Sequence, residues 1–183
     1  NFLASARVWW MLRVMGHQDV RVLDGGLKAW IDAGGETEDL PPVSVERHFT
    51  PRVRAGLVKD VAQMLVASDT GTHTIIDTRS AGRFTGEAPE PREGLPSGHI
   101  PGSQSVPSSD LIDKDGKMKS TDTLEKLFAD TSQPIIATCG SGVSAAVGAL
   151  ALARLGNWDV AIYDGSWTEW ASDDSRPVAK GPA

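Results

Sequence analysis

Residues 135–146 read Ile135-Ile136-Ala137-Thr138-Cys139-Gly140-Ser141-Gly142-Val143-Ser144-Ala145-Ala146. An apolar strand runs into a cysteine, then a loop of small residues, then a helix. A helix start carries unsatisfied backbone N–H groups and the positive end of the macrodipole, and both favour an anion. Two glycines in the loop let the backbone curl and turn its N–H groups inward as an anion-binding nest. The pattern predicts a nucleophilic cysteine, Cys139, in a cradle for negative charge. Ser141 and Ser144 can add hydroxyl donors, and Ser144 is also the expected N-cap of the following helix.

Strands alternate with helices around this run. A helix is expected at about 58–67 and strands at 74–78 and 103–106. A helix at 121–129, with Ser120 as its cap, precedes a buried strand at 134–138. A helix at 144–155 and a strand at 160–163 follow. This order implies an α/β domain built on a mostly parallel sheet flanked by helices. The cysteine loop then lies at the C-terminal end of a strand, where open α/β sheets place ligands. A polar loop at 86–101, rich in Pro and Gly, is long enough to suggest function.

The chain also resembles itself. Residues 5–30 and 145–170 align without a gap at an offset of 140, with eight identities. These include Gly16 and Gly156, Asp24 and Asp164, Gly25 and Gly165, and Trp30 and Trp170. Each copy reads as helix, Gly stop, short strand, Asp-Gly turn, then a helix bearing Trp. In the first copy this places a helix at 4–15, a strand at 20–23 and a helix at 27–32. Residues 1–35 are therefore expected to be the C-terminal part of a first domain, 36–56 a Pro-containing linker, and 57–183 the complete second copy. The equivalent of Cys139 in the first copy falls just before residue 1. A segment of about half a domain is expected upstream, in the same gene product or as a separate chain.

Composition narrows the function. The net charge of −6 argues against nucleic acid or an anionic membrane as the main partner. No apolar run approaches the ~20 residues of a membrane span. One cysteine excludes an intrachain disulfide and fits a reducing, cytoplasmic setting. The four histidines show no metal-ligand spacing, so no metal and no cofactor is expected. A tyrosine phosphatase loop would place an arginine six residues after the cysteine, to clamp phosphate bidentately. Ala145 stands there, which disfavours that chemistry.

The second copy resembles the rhodanese superfamily, and the whole chain is similar to the C-terminal part of its two-domain 3-mercaptopyruvate sulfurtransferases. The matching runs are Ile76-Asp77-Thr78-Arg79, Gly82-Arg83-Phe84, Glu90-Pro91-Arg92, Gly98-His99-Ile100-Pro101-Gly102, Cys139 through Ala145, and Tyr163-Asp164-Gly165-Ser166-Trp167. Leu23-Asp24-Gly25-Gly26 matches the end of the non-catalytic first domain. The resemblance implies two α/β rhodanese domains and a persulfide carried on Cys139. It places Arg83 and Arg92 on the donor's carboxylate and keto oxygens, and the loop Gly140, Gly142, Val143 and Ser144 around the sulfur. It makes Ser141 part of a proton relay whose His and Asp belong to the upstream portion. The neutral Gly140-Ser141 pair points to a mercaptopyruvate donor rather than thiosulfate. The acceptor is then cyanide or an external thiol, a thioredoxin-type protein among them. A thiosulfate sulfurtransferase and a non-enzymatic persulfide-carrier or docking module are the alternatives. His99 is expected to be a structural hydrogen-bonder, Asp77 to tie down loops, Trp167 to wall the pocket, and Trp30 and Trp170 to lie in the core.

Overall fold

The computed structural model describes residues 2–41, 43, 45–128 and 131–182. Ala129, the expected end of the helix at 121–129, Pro42 and Ser44 of the linker, and the outer bounds Asn1 and Ala183 lie outside the described residues. The chain opens with helices α1 (Phe2–Val14) and α2 (Gly26–Asp32). Then come β1 (Val58–Lys59), α3 (Val61–Thr70), β2 (Thr74–Asp77), α4 (Ala81–Thr85) and β3 (Ser103–Ser105). The remainder is α5 (Thr121–Leu127), β4 (Ile135–Thr138), α6 (Ala145–Arg154), β5 (Ala161–Tyr163) and α7 (Ser166–Trp170). Among the described residues, no helix is long and apolar enough to cross a membrane.

The five strands form one parallel sheet in the order β1-β5-β4-β2-β3. β4 is central. From β2 the chain leaves toward β3, and from β4 it leaves the other way, toward β5. The crevice between the C-terminal ends of β2 and β4 is thus a topological switch point, the place where such sheets bind ligands. Both faces of the sheet are covered, so the central strands are buried along their whole length. Alternation along each strand sorts the side chains. Ile76, Ile135, Ala137 and Ile162 face a layer that includes α1, α5 and α6. Ile75, Ile136 and Tyr163 face Met64, Trp167 and Trp170 on the other side.

Local chemistry sets the ends of α3. The Asp60 carboxylate accepts from the Gln63 N–H (2.8 Å) and the Gln63 side chain accepts from the Asp60 N–H (3.2 Å), a reciprocal capping box. Gly71, left-handed at φ 62°, stops the helix. α6 is built largely of alanine, which lets α1 lie close. Ala6, Trp9, Trp10 and Val14 share one buried cluster with Ala146, Ala149 and Ala153. The segments offset by 140 residues also carry matched turns: Gly16 and Gly156 have φ of 91° and 94°, and Gly26 and Ser166 have φ of 62° and 52°.

Several expectations are corrected. Residues 20–23 form no strand. Val20 and Val22 do pack toward the core in period two, but no strand pairs with them among the described residues. β1 replaces the expected start of the third helix, because Val58 and Lys59 pair with Ile162 and Tyr163 at the sheet edge. Ser144 occupies the N-cap position of α6 yet makes no capping bond. Its backbone is already helical (φ −72°, ψ −20°), not the extended conformation that folds a cap side chain back over the first turn. Ser120 likewise makes no capping bond to the backbone, and its hydroxyl pairs with Thr123 Oγ1 instead. Trp30 is 46% exposed and hydrogen-bonds the Glu36 carbonyl, whereas Trp170 is fully buried.

Gly148, midway along α6, packs tightly against the residue that follows β2. A Cβ there would sit 3.0 Å from Thr78 Cγ2. Leucine is a far better helix former than glycine, by about 1 kcal/mol, yet Gly148→Leu should lower stability by about 2 kcal/mol through overpacking. Urea denaturation checks the sign.

Candidate active site

Cys139 follows the central strand and is 2% exposed. Its carbonyl accepts from the Trp167 N–H (2.8 Å), and the Gly140 carbonyl accepts from the Thr168 N–H (3.1 Å). The Cys139 N–H donates to Ser166 Oγ (3.3 Å), which in turn donates to the Tyr163 carbonyl (2.9 Å). Ser166 holds this post with a left-handed backbone (φ 52°), an uncommon conformation for a residue with a side chain. Burial, with the Glu169 carboxylate adding to it, pushes the Tyr163 phenol far above its usual range. It therefore stays neutral behind the site.

The loop after Cys139 curls because Gly142 is left-handed (φ 76°). A Cβ at Gly142 would lie 2.5 Å from Asp164 Oδ1 and 3.0 Å from the Asp164 carbonyl oxygen, which adds crowding to a left-handed backbone that favours glycine. Arg7, from α1, braces this point. Its Nη1 donates to the Gly142 carbonyl (3.0 Å) and to Asp164 Oδ1 (2.6 Å). The amides of Gly140 through Ser144 donate to no other group among the described residues, which leaves them available to an anion. The Ser144 hydroxyl is engaged by Thr78 Oγ1 (3.1 Å), while Ser141 is exposed and without a hydrogen-bond partner among the described residues.

Cys139, Gly140, Ser141, Val143 and Ser144 line one cavity of about 380 Å³, together with Arg83 and Arg92. Gly142 turns the loop and lies outside that lining. The predicted residues thus come together, but the two arginines differ. Arg83 is paired with Glu90 through two bonds, Nε to Oε1 (3.1 Å) and Nη2 to Oε2 (2.5 Å). Arg92 is exposed and donates to Thr168 Oγ1 (2.8 Å), with no carboxylate partner among the described residues. A Cβ on Gly140 would sit 3.1 Å from Arg83 Nη2, so glycine lets this guanidinium reach the loop.

The sequence pattern did not disclose what anchors Arg83. The Glu90 side chain is 2% exposed and also accepts from Arg79 Nη1 (2.7 Å). Arg79 forks onto the Asp77 carboxylate (2.7–3.1 Å), donates to the Gly98 carbonyl (2.6 Å), and lies 4.3 Å over the Trp167 ring. Asp77 therefore does tie down loops, through Arg79. Trp167 backs this network and donates to the Pro96 carbonyl rather than walling the cavity. His99 is buried, stacked on Phe84 and hydrogen-bonded to its carbonyl (2.9 Å), away from the thiol's surroundings. No cluster of metal-ligating side chains occurs among the described residues.

Glu90→Gln keeps the volume but leaves the buried Arg79 and the half-buried Arg83 guanidiniums short of a negative charge. A loss of about 3 kcal/mol is expected, read as a lowered denaturation midpoint. Chains of known function share this frame. A 3-mercaptopyruvate sulfurtransferase of Escherichia coli (strain K12) is 41% identical over 97% of this chain and 64% of its own length. A thiosulfate sulfurtransferase of Mus musculus is 43% identical over 91% of this chain and 58% of its own. The crystal structure of the Tum1 protein of Saccharomyces cerevisiae superposes with a TM-score of 0.85 and 30% identity, over 100% of this chain and 67% of that one. The chain spans less than two thirds of the curated relatives' length. Residues 58–173, which hold the sheet, Cys139 and both cavity arginines, match the rhodanese-like domain, and the chain belongs to that family.

Proposed function

We propose that the protein carrying this chain is a sulfurtransferase that takes sulfur from 3-mercaptopyruvate and passes it, as a Cys139 persulfide, to cyanide or a thiol. The observation that carries this is the charge of the cavity. Arg79 and Arg83 are matched by Asp77 and Glu90, so Arg92 is the cation left without a counter-ion beside the thiol among the described residues. One guanidinium suits one carboxylate, the charge of a mercaptopyruvate donor rather than of a dianion. Arg83 keeps hydrogen-bond capacity for the neighbouring keto oxygen, since its Nη1 is unused by Glu90.

The Cys139 thiolate attacks the donor sulfur. A sulfur–sulfur bond forms and the carbon–sulfur bond breaks, its electron pair going to carbon. The product is the enolate of pyruvate, which takes the proton that the donor's sulfur gives up as the persulfide ionises. The persulfide stays on Cys139, its charge met by the free amides of residues 140–144 and the start of α6. An acceptor thiolate or cyanide then attacks the outer sulfur and returns the Cys139 thiolate.

The thiol acceptor comes from outside the chain, which has one cysteine; a thioredoxin-type protein is the kind proposed. The remaining part of a first rhodanese domain would cover the apolar groove of about 670 Å³ along α1 and α2, where Val8, Leu23, Leu27 and Trp30 are about half exposed or more. It would bring the His and Asp of the relay to Ser141, which stands exposed at the rim. Thiosulfate is the second reading, favoured by the 43% identity to the mouse enzyme.

Pyruvate release and thiocyanate formation from 3-mercaptopyruvate, compared with thiosulfate, test the reading in the complete protein. A higher kcat/KM for 3-mercaptopyruvate is expected, with one added sulfur on Cys139 by mass spectrometry. Cys139→Ser should lose turnover by several orders of magnitude. A strong preference for thiosulfate overturns the donor, and an active Cys139→Ser overturns the mechanism.

A further inference from the structure

Thr168 links the unpaired arginine to the cysteine loop. Its hydroxyl donates to the Gly140 carbonyl (2.6 Å), and the same oxygen accepts from Arg92 Nη1 (2.8 Å). A hydroxyl has one proton and two lone pairs, so both bonds form together. The Thr168 N–H also donates to the Gly140 carbonyl (3.1 Å), and a β-branched side chain is stiff at χ1. Thr168 is therefore a fixed point beside the catalytic loop. Arg92, by contrast, rises from an irregular segment and is exposed, and Thr168 is its hydrogen-bond partner among the described residues. Arginine carries about 2 kcal/mol of rotamer entropy, which an unrestrained Arg92 would lose on meeting each donor molecule.

We propose that Thr168 is a specificity-determining positioning residue. It holds Arg92 over the cavity before the donor arrives and so sets the affinity for the donor's anionic group. This rests on the donor-binding role proposed for Arg92. Because Arg92 is proposed to meet the donor's anionic group and not the sulfur that reacts, its effect belongs to binding and not to the chemical step.

The test uses the complete protein, with steady-state kinetics on 3-mercaptopyruvate and cyanide as acceptor. Thr168→Val removes the hydroxyl and keeps the shape. KM should rise roughly tenfold, the size expected for losing a hydrogen bond to a charged group, with kcat within about twofold. Thr168→Ser should restore KM. In an Arg92→Ala background, which itself raises KM, adding Thr168→Val should change KM little, because the two residues act as one unit. The inference is overturned if Thr168→Val leaves KM unchanged, if the loss falls on kcat, or if the full effect persists without Arg92. That last result would mean that Thr168 serves only the Gly140 loop. If the wild type turns over thiosulfate and not 3-mercaptopyruvate, the proposed donor fails. The same five proteins assayed on thiosulfate, whose negative charge is also proposed to meet Arg92, then decide Thr168.

Discussion

The Glu90 carboxylate, buried between the guanidiniums of Arg79 and Arg83, is the constraint on which the site depends. Two cations that close repel strongly in a low-dielectric interior. Glu90 and Asp77 reduce that cost and give each guanidinium a fixed direction. Pairs of this kind add little net stability, but breaking one is expensive. Their effect here is geometric. Arg79 joins the end of β2 to the long loop at Gly98 and Glu90, and Glu90 then aims Arg83 at Gly140. The irregular stretch between α4 and β3 is thereby bound to the sheet at the switch point, beside Cys139.

A second set of restraints fixes the cysteine from below. The amides of Trp167 and Thr168 hold the carbonyls of Cys139 and Gly140, and Ser166 accepts the Cys139 N–H. Arg7 holds Gly142 from the side. The carbonyls of Cys139, Gly140 and Gly142 are taken up by α7 and α1, and the amides of Gly140 through Ser144 have no hydrogen-bond partner among the described residues. An oxyanion-type site requires donors that need no rearrangement when charge develops. A loop pinned through its carbonyls meets that requirement.

The strands and the cysteine loop were legible because their information is local. Ile135–Thr138 is a continuous apolar run, and the small residues after it can belong only to a tight turn. What was missed depends on partners distant in sequence. β1 is two residues long and exists only through pairing with β5. Val20 to Leu23 has the alternation of a strand but no ladder among the described residues. Ser144 has the right residue type and position for a cap, yet its helical backbone turns the hydroxyl to Thr78. Thr168 and Arg7 sit in segments with no pattern to set them apart, and the run Glu90-Pro91-Arg92 carries a resemblance that says nothing of Glu90 as an anchor. Their parts emerge only when loop, sheet end and first helix meet. Trp30 matches Trp170 in sequence, but one is exposed and the other buried, because burial belongs to the surroundings and not to the residue.

The neutral residue after Cys139 gains a physical reason from the same geometry. A side chain at Gly140 would begin 3.1 Å from Arg83 Nη2, so the tip of the guanidinium would have to give by a few tenths of an ångström. A basic residue there would also set a second cation against Arg83, and glycine avoids both costs. Positive charge reaches the thiol from the side, on an arginine already neutralised by Glu90, rather than from the loop itself. Arg92, which lines the same cavity as Cys139, is left without a carboxylate partner among the described residues. The cavity thus holds one guanidinium matched by a carboxylate and one without such a partner among the described residues. On the proposed function, a donor with a single charge sets that charge against Arg92 and leaves its sulfur for Cys139.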